Sequence, residues 1–146
     1  MADEQIQCKS FDEFKVGDTA SMSKTITQAD VTLFAGITGD FNPLHMNEQF
    51  AKKTQFGRRL VHGAISTGLI SAVIGMKLPG PGALYASQNV KFVKPVFFND
   101  TITARATVVE KFMKKDGQLQ FLRIETNCYN QFNKLVTEGE ALVVIM

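Results

Sequence analysis

Asp40, Asn42, Pro43 and His45 fall within the stretch FAGITGDFNPLHMNEQFA, in a chain of 146 residues that has only two histidines. A carboxylate and an imidazole held close together can polarise one water between them. The carboxylate accepts a proton, and the imidazole is the side chain that donates or accepts near neutral pH. Asp40 and His45 are five positions apart, whereas neighbours on a helix face lie three or four apart. Pro43 is also incompatible with a helix interior, so the spacing predicts that a loop aims both side chains. Loops on rigid scaffolds are common seats of catalytic groups, and Asn42 is placed to fix either partner by hydrogen bonding. The same residues make a good turn, with Asp and Asn bonding their own backbone. By themselves they leave catalysis and turn chemistry both open.

A second candidate lies in VHGAISTG, residues 61–68. A glycine at the start of a buried helix exposes its N–H at the positive end of the helix dipole, where a developing oxyanion is stabilised. Gly63 can also serve close packing alone, and His62 can be a core or capping histidine. Ser71 lies two turns further along, where a serine usually bonds its own i−4 carbonyl. Asp40, His45 and His62 suit zinc or iron by donor type, but their spacing matches no HExxH, CxxC or facial-triad pattern. No GxSxG elbow, GxGxxG turn or Walker loop occurs, and PGPG reads as a turn.

These groups need elements to hold them. FKVGDTASMSKTI reads as a first strand. TQADVTLFAGITG reads as a helix with Thr27 as N-cap, Asp30 three residues on, a buried stripe of Val31, Phe34 and Ala35, and Gly39 closing it. NEQFAKKTQ predicts a short helix from an Asn47 cap to Gly57. The long apolar helix starts near His62-Gly63 and stops at KLPGPG, whose prolines and glycines cannot continue it. Apolar residues nearly all round it predict a helix wrapped by other structure.

After the PGPG turn the period becomes two. Val90 and Phe92 flank Lys91. Ile102, Ala104, Ala106 and Val108 alternate with Thr103, Arg105 and Thr107. Leu122, Ile124, Thr126 and Cys128 alternate with Arg123, Glu125 and Asn127, and Ala141, Val143 and Ile145 share one face. Such alternation marks antiparallel strands, and the Asp-Gly pair in KKDGQ marks a hairpin. No repeat or linker divides the chain. It predicts one α+β domain with a sheet curled around a central helix, and residues 1–13 as a loosely ordered N-terminal arm.

Composition narrows the classes. Hydrophobic residues make up 45% and charged residues 21%, which suits a globular fold. A formal charge of +2, with basic pairs scattered among acids, does not suggest a nucleic-acid partner. The start MADEQIQCKSF is too polar for a secretory signal. The apolar run LVHGAISTGLISAVIGM is shorter than the ~20 residues that span a bilayer. Cys8 and Cys128 belong to no CxxC pair and read as reduced thiols in a cytoplasmic compartment.

With these features in hand, FAGITGDFNPLHMNEQFA, VHGAISTGLIS and LPGPGALYASQNVKFVKPVFFND together resemble the MaoC-like (R)-specific enoyl-CoA hydratases and their (R)-3-hydroxyacyl-thioester dehydratase relatives. The likeness runs from about Phe14 to the C-terminus. It implies a hot-dog fold, agreeing with the layout reached from periodicity, and syn addition of water to a trans-2-enoyl thioester. In that scheme Asp40 takes the water proton, and His45 holds the water and helps supply a proton to Cα. The Gly63 N–H matches the oxyanion donor, and Asn42 and Ser71 match supporting positions. No metal or organic cofactor is implied. Ile74, one helical turn after Ser71, and Val143 are candidates for the floor of an acyl pocket. Lys52, Lys53, Arg58 and Arg59 can meet CoA phosphates or form solvated surface. The substrate is an acyl-CoA or an acyl carrier protein thioester, and relatives of this fold pair through edge strands, so a homodimer is expected. The alternatives are a hot-dog thioesterase and a non-catalytic acyl-thioester-binding domain.

Overall fold

The structure is a computed structural model that describes residues 6–146. Five strands, β1 (Thr19–Thr25), β2 (Ala83–Phe92), β3 (Thr101–Lys114), β4 (Leu119–Tyr129) and β5 (Leu135–Ile145), form one sheet in the order β1-β3-β4-β5-β2. Every pairing is antiparallel. Among the described residues four α-helices precede β2: α1 (Gln28–Thr38), α2 (Pro43–Met46), α3 (Glu48–Ala51) and α4 (Gly63–Met76).

The alternation read in the sequence becomes the inner face of the sheet. Ile102, Ala104, Ala106 and Val108 of β3 are buried, as are Leu122, Ile124, Thr126 and Cys128 of β4 and Ala141, Val143 and Ile145 of β5. Against this face lie Ile70, Val73 and Ile74 of α4. At the β3–β4 turn, Lys115, Asp116 and Gly117 all take positive φ, between 50° and 86°. Glycine and aspartate tolerate that region best, which is why the Asp-Gly pair reverses the chain there.

At its start α1 carries the capping box foreseen for it. The Asp30 N–H donates to the Thr27 hydroxyl, and the Asp30 carboxylate accepts from the Thr27 N–H. Its end is Gly39, at φ 79° in the left-handed region. Val31 and Ala35 are buried, while Phe34 is only half-buried because it lies over the start of α4.

Three expectations change. Residues 11–13 form a 3-10 turn with Phe11 and Phe14 buried in the core, so the end of the N-terminal arm is packed. Residues 1–5 of that arm lie outside the described residues. The helix read from Asn47 to Gly57 is a single turn, α3, after which the Thr54 hydroxyl donates to the Ala51 carbonyl and competes with helical bonding. Finally, the sheet wraps α4 from one side and does not envelop it. The sheet covers one side, while Ala64, Gly68, Ser71 and Gly75 on the other side are exposed. A single sheet can bury only one face of a helix.

Gly139 of β5 sits opposite Val90 of β2 and Thr126 of β4. A Cβ there would lie 2.2 Å from the Asn89 carbonyl oxygen and 3.0 Å from Gln88 Nε2. The Gln88 amide needs that space to donate to the Asn89 carbonyl and to the Thr126 hydroxyl, at 2.6 and 2.9 Å. Gly139→Ala must therefore part β2 from β5. A loss of about 1–3 kcal/mol is expected, measured by denaturant unfolding, and a wild-type midpoint would contradict this packing.

Candidate active site

Gly39 turns the chain out of α1, and Asp40 follows it. Asp40 Oδ1 accepts from the Asn42 N–H at 3.2 Å, and Asn42 Oδ1 accepts from the Leu44 N–H at 3.0 Å. The turn chemistry open at the level of sequence is therefore present. It uses one carboxylate oxygen and leaves Oδ2, 3.9 Å from His62 Nε2. Asn42 orders the loop as the N-cap of α2 and makes no side-chain bond to Asp40 or His45.

His45 is on a helix, contrary to the expectation of a loop. Pro43 opens the single turn of α2 from its first position, where its missing N–H would have had no intrahelical partner and its φ is already helical. Proline is excluded from helix interiors, which is a different place.

The His45 ring is fixed from further along the chain. Its Nδ1 lies 2.8 Å from the Leu60 carbonyl oxygen. That residue is itself strapped down: the Leu60 N–H donates to the Leu44 carbonyl at 3.2 Å and the Val61 N–H to the Val96 carbonyl at 2.8 Å. A carbonyl only accepts, so Nδ1 carries the proton and Nε2 is the lone-pair nitrogen of the neutral ring. Burial lowers the His45 pKa from 6.5, and the Leu60 bond and the Asp40 carboxylate oppose this. The balance favours the neutral ring at neutral pH.

His62 closes the site from behind. It is 2% exposed, and its ring lies against those of His45, with centroids 3.9 Å apart, and Phe34, at 4.7 Å. Its Nε2–H donates to the Asp40 carbonyl oxygen at 2.9 Å. Nδ1 is sealed from solvent, with no hydrogen-bond partner among the described residues. Sequence reasoning treated His62 as a core, capping or metal-binding histidine and missed this role. The available signal was its place beside Gly63. One ligand atom from each of Asp40, His45 and His62 falls within 4.8 Å of the others. Each ring holds its proton on the nitrogen facing a carbonyl, and the lone pair of His62 is sealed. Only His45 Nε2 and the Asp40 carboxylate are left as outward donors.

Gly63 is the first residue of α4, and the His62 side chain makes no capping bond there. A Cβ on Gly63 would lie 3.0 Å from the Phe92 ring, so glycine lets β2 and α4 approach. His45, Gly63, Phe92, Phe56, Ser66 and Thr137 are among the residues lining a cavity of about 420 Å³. Thus His45 and Gly63 reach one cavity, with Asp40 beside His45. The other candidates lie elsewhere. Ser71 is exposed on the open side of α4. Ile74 and Val143, at 1% and 0% exposure, belong to the closed core and line no part of this cavity. Ile74, one helical turn after Ser71, and Val143, facing inward on β5, both pack in the hydrophobic core.

The basic residues divide. Arg58 stacks on Phe97 at 3.7 Å and Arg59 pairs with Glu48 at 3.0 Å, while Lys52 and Lys53 are exposed. Lys94, which was not singled out, lies on the cavity wall. Among the described residues no helix is long and apolar enough to cross a membrane.

Comparison with known proteins agrees with this architecture. Over 92% of its length the chain is 45% identical to an (R)-specific enoyl-CoA hydratase of Rhodospirillum rubrum, covering 90% of that protein. It is 42% identical to a 3-hydroxybutyryl-CoA dehydratase of Methylorubrum extorquens, with 92% of this chain and 83% of that one aligned. Among solved structures, the unliganded R-hydratase PhaJ1 of Pseudomonas aeruginosa superposes with a TM-score of 0.85 at 38% identity, covering 92% of this chain and 84% of that one. The sheet and central helix form the hot-dog fold. Residues 15–127 match the MaoC like domain, and with a turn, a one-turn helix and a helix start gathering Asp40, His45 and Gly63 inside that span, the chain belongs to the MaoC-like family.

Proposed function

We propose that the protein hydrates trans-2-enoyl-CoA to (R)-3-hydroxyacyl-CoA, and dehydrates it in reverse, with Asp40 and His45 as the acid–base pair. One observation carries the roles: the Leu60 carbonyl holds the His45 Nδ1–H, so that Nε2 is an acceptor beside a carboxylate. Two acceptors suit the two hydrogens of one water. The neutral ring has no proton to supply on Nε2, so His45 orients the water and Asp40 is the group that takes a proton and returns it.

The steps balance. The water oxygen bonds to Cβ as one of its protons passes to Asp40, and the π electrons move onto the thioester oxygen as an enolate. The Gly63 N–H and the α4 dipole stabilise that charge. As the enolate collapses, Asp40 delivers the proton to Cα on the face from which water came. The product keeps the other water hydrogen on its new hydroxyl. Water and substrate supply every atom.

Crotonyl-CoA tests this reading. Loss of enoyl absorbance without free thiol, with (R)-3-hydroxybutyryl-CoA on chiral analysis, is the expected result. Release of CoA would indicate a thioesterase instead, and neither change would indicate a binding domain. Because His45 titrates below 6.5 and acts as the neutral ring, the rate should hold as pH falls through that value and drop only below it. A limb centred above 6.5 would contradict the assigned state.

The assembly we infer is a homodimer. Support comes from β2, which is hydrogen-bonded on one side only, and from the exposed face of α4 beside Leu33 and Ile37, at 65% and 85% exposure. The protein is placed in the cytoplasm, in keeping with free Cys8 and Cys128. Lys94 on the cavity wall suits a CoA or carrier-protein phosphate.

A further inference from the structure

We propose that His62, which lies outside the acid–base pair, is a positioning residue that sets Asp40 and His45 relative to each other. This rests on the hydratase reading above.

His62 carries a buried polar atom that has no use in folding. His62 Nδ1 is sealed and unpartnered, and a lone pair in that condition costs stability. A phenylalanine of similar shape would keep the contacts to Phe34 and His45 without that cost. Nor does His62 serve as a conventional cap, since it makes no side-chain bond to the first turn of α4. What the imidazole has and a phenyl ring lacks is the Nε2–H, and that proton goes to the carbonyl oxygen of Asp40 at 2.9 Å. The remainder of the ring lies on His45 at 3.9 Å between centroids.

One side chain, anchored at the rigid start of α4, therefore touches both members of the pair. It holds the backbone of one and backs the ring of the other. Asp40 needs such a clamp because its side chain is 49% exposed and follows a helix end. Positional errors of about 1 Å at a reacting pair can cost 10²-fold in rate.

The contact also bears on protonation. The titratable groups around His45 are Asp40, from the connection before α2, His62, from the start of α4, and Lys94, on the wall of the same cavity, while residue 60 contributes its carbonyl. Arg58 and Arg59 are turned onto Phe97 and Phe98. The His62 ring covers one face of His45, and burial, the leading cause that lowers the His45 pKa, depends in part on that ring, so His62 helps keep His45 neutral.

The test uses the full chain as wild type, His62→Phe and His62→Gln, with kcat and KM for crotonyl-CoA followed across pH. The phenylalanine variant keeps the stack and loses the donor, whereas the glutamine amide can present N–H near the position of Nε2. His62→Phe should lose roughly 10- to 100-fold in kcat with little change in KM, and His62→Gln should recover most of it. The acidic limb of kcat/KM should move to higher pH in His62→Gln, which loses the ring stacked on His45, and stay in place in His62→Phe. The chain has two histidines, so either variant leaves His45 as the sole histidine signal in an NMR titration, which should report the same upward move in His62→Gln alone. Unchanged kcat in folded His62→Phe, equal impairment of both variants, or a His45 titration unmoved in His62→Gln would each overturn the proposal. If His62→Phe does not fold, the limb and NMR titration of His62→Gln decide. A wild-type protein that leaves crotonyl-CoA unchanged overturns the hydratase reading instead, and the NMR titration still decides the coupling of the rings.

Discussion

Asp40→Asn and His45→Asn are each expected to lower kcat for crotonyl-CoA hydration by at least the ~10²-fold typical of losing an acid–base group, with the fold retained. The local geometry makes both substitutions informative. Asparagine at position 40 keeps an oxygen able to accept from the Asn42 N–H, now at 3.2 Å, so the turn survives while the proton acceptor is lost. Asparagine at position 45 can still donate to the Leu60 carbonyl, now 2.8 Å from Nδ1, but it has nothing where Nε2 was. The second variant thus separates holding the loop from handling the water. Steady-state kinetics with a thermal melt on the same samples would decide it. Turnover near wild type in either folded variant would remove that residue from the proposed chemistry.

Gly63→Ala should be the next most damaging small change, with kcat falling by roughly 10- to 100-fold. Alanine keeps the N–H, so the loss would come from displacement. The new Cβ would sit 3.0 Å from two atoms of the Phe92 ring, and either that ring or the start of α4 must move. Phe92 is 53% exposed and its side chain can give way, so stability should suffer less than activity. Adding Phe92→Leu to Gly63→Ala should restore part of the lost rate, since the smaller side chain frees the space. A double variant no better than the single one would show that glycine matters for some reason other than its contact with Phe92.

These predictions draw unequally on sequence and structure. The capping of α1 was legible because a capping box joins residues three apart, and both partners, Thr27 and Asp30, are visible side by side in the chain. The strands were legible for a similar reason. A sheet with one buried face imposes a period of two, which Ile102 to Val108 and Leu122 to Cys128 carry plainly. Residue types and the turn around Asn42 also drew attention to Asp40 and His45.

Pro43 was misjudged although the relevant signal was local. Proline forbids a helix interior but favours a helix start, and Asn42 just before it is a capping residue. Which rule applies depends on where the helix begins, and a single helical turn leaves no hydrophobic period to show that.

What the sequence by itself determined is the inventory: the strands, the caps, the long apolar helix and the two groups able to move a proton. Only the tertiary structure decided how those groups work. The Leu60 carbonyl that sets the His45 tautomer lies fifteen residues away, and the Asp40 carbonyl held by His62 twenty-two. Phe92 meets Gly63 across the fold, Ile74 and Val143 close into the core, and one side of α4 is left open. Such contacts join residues remote in the chain through packing in three dimensions. They obey no fixed spacing, so no periodicity along the chain can announce them.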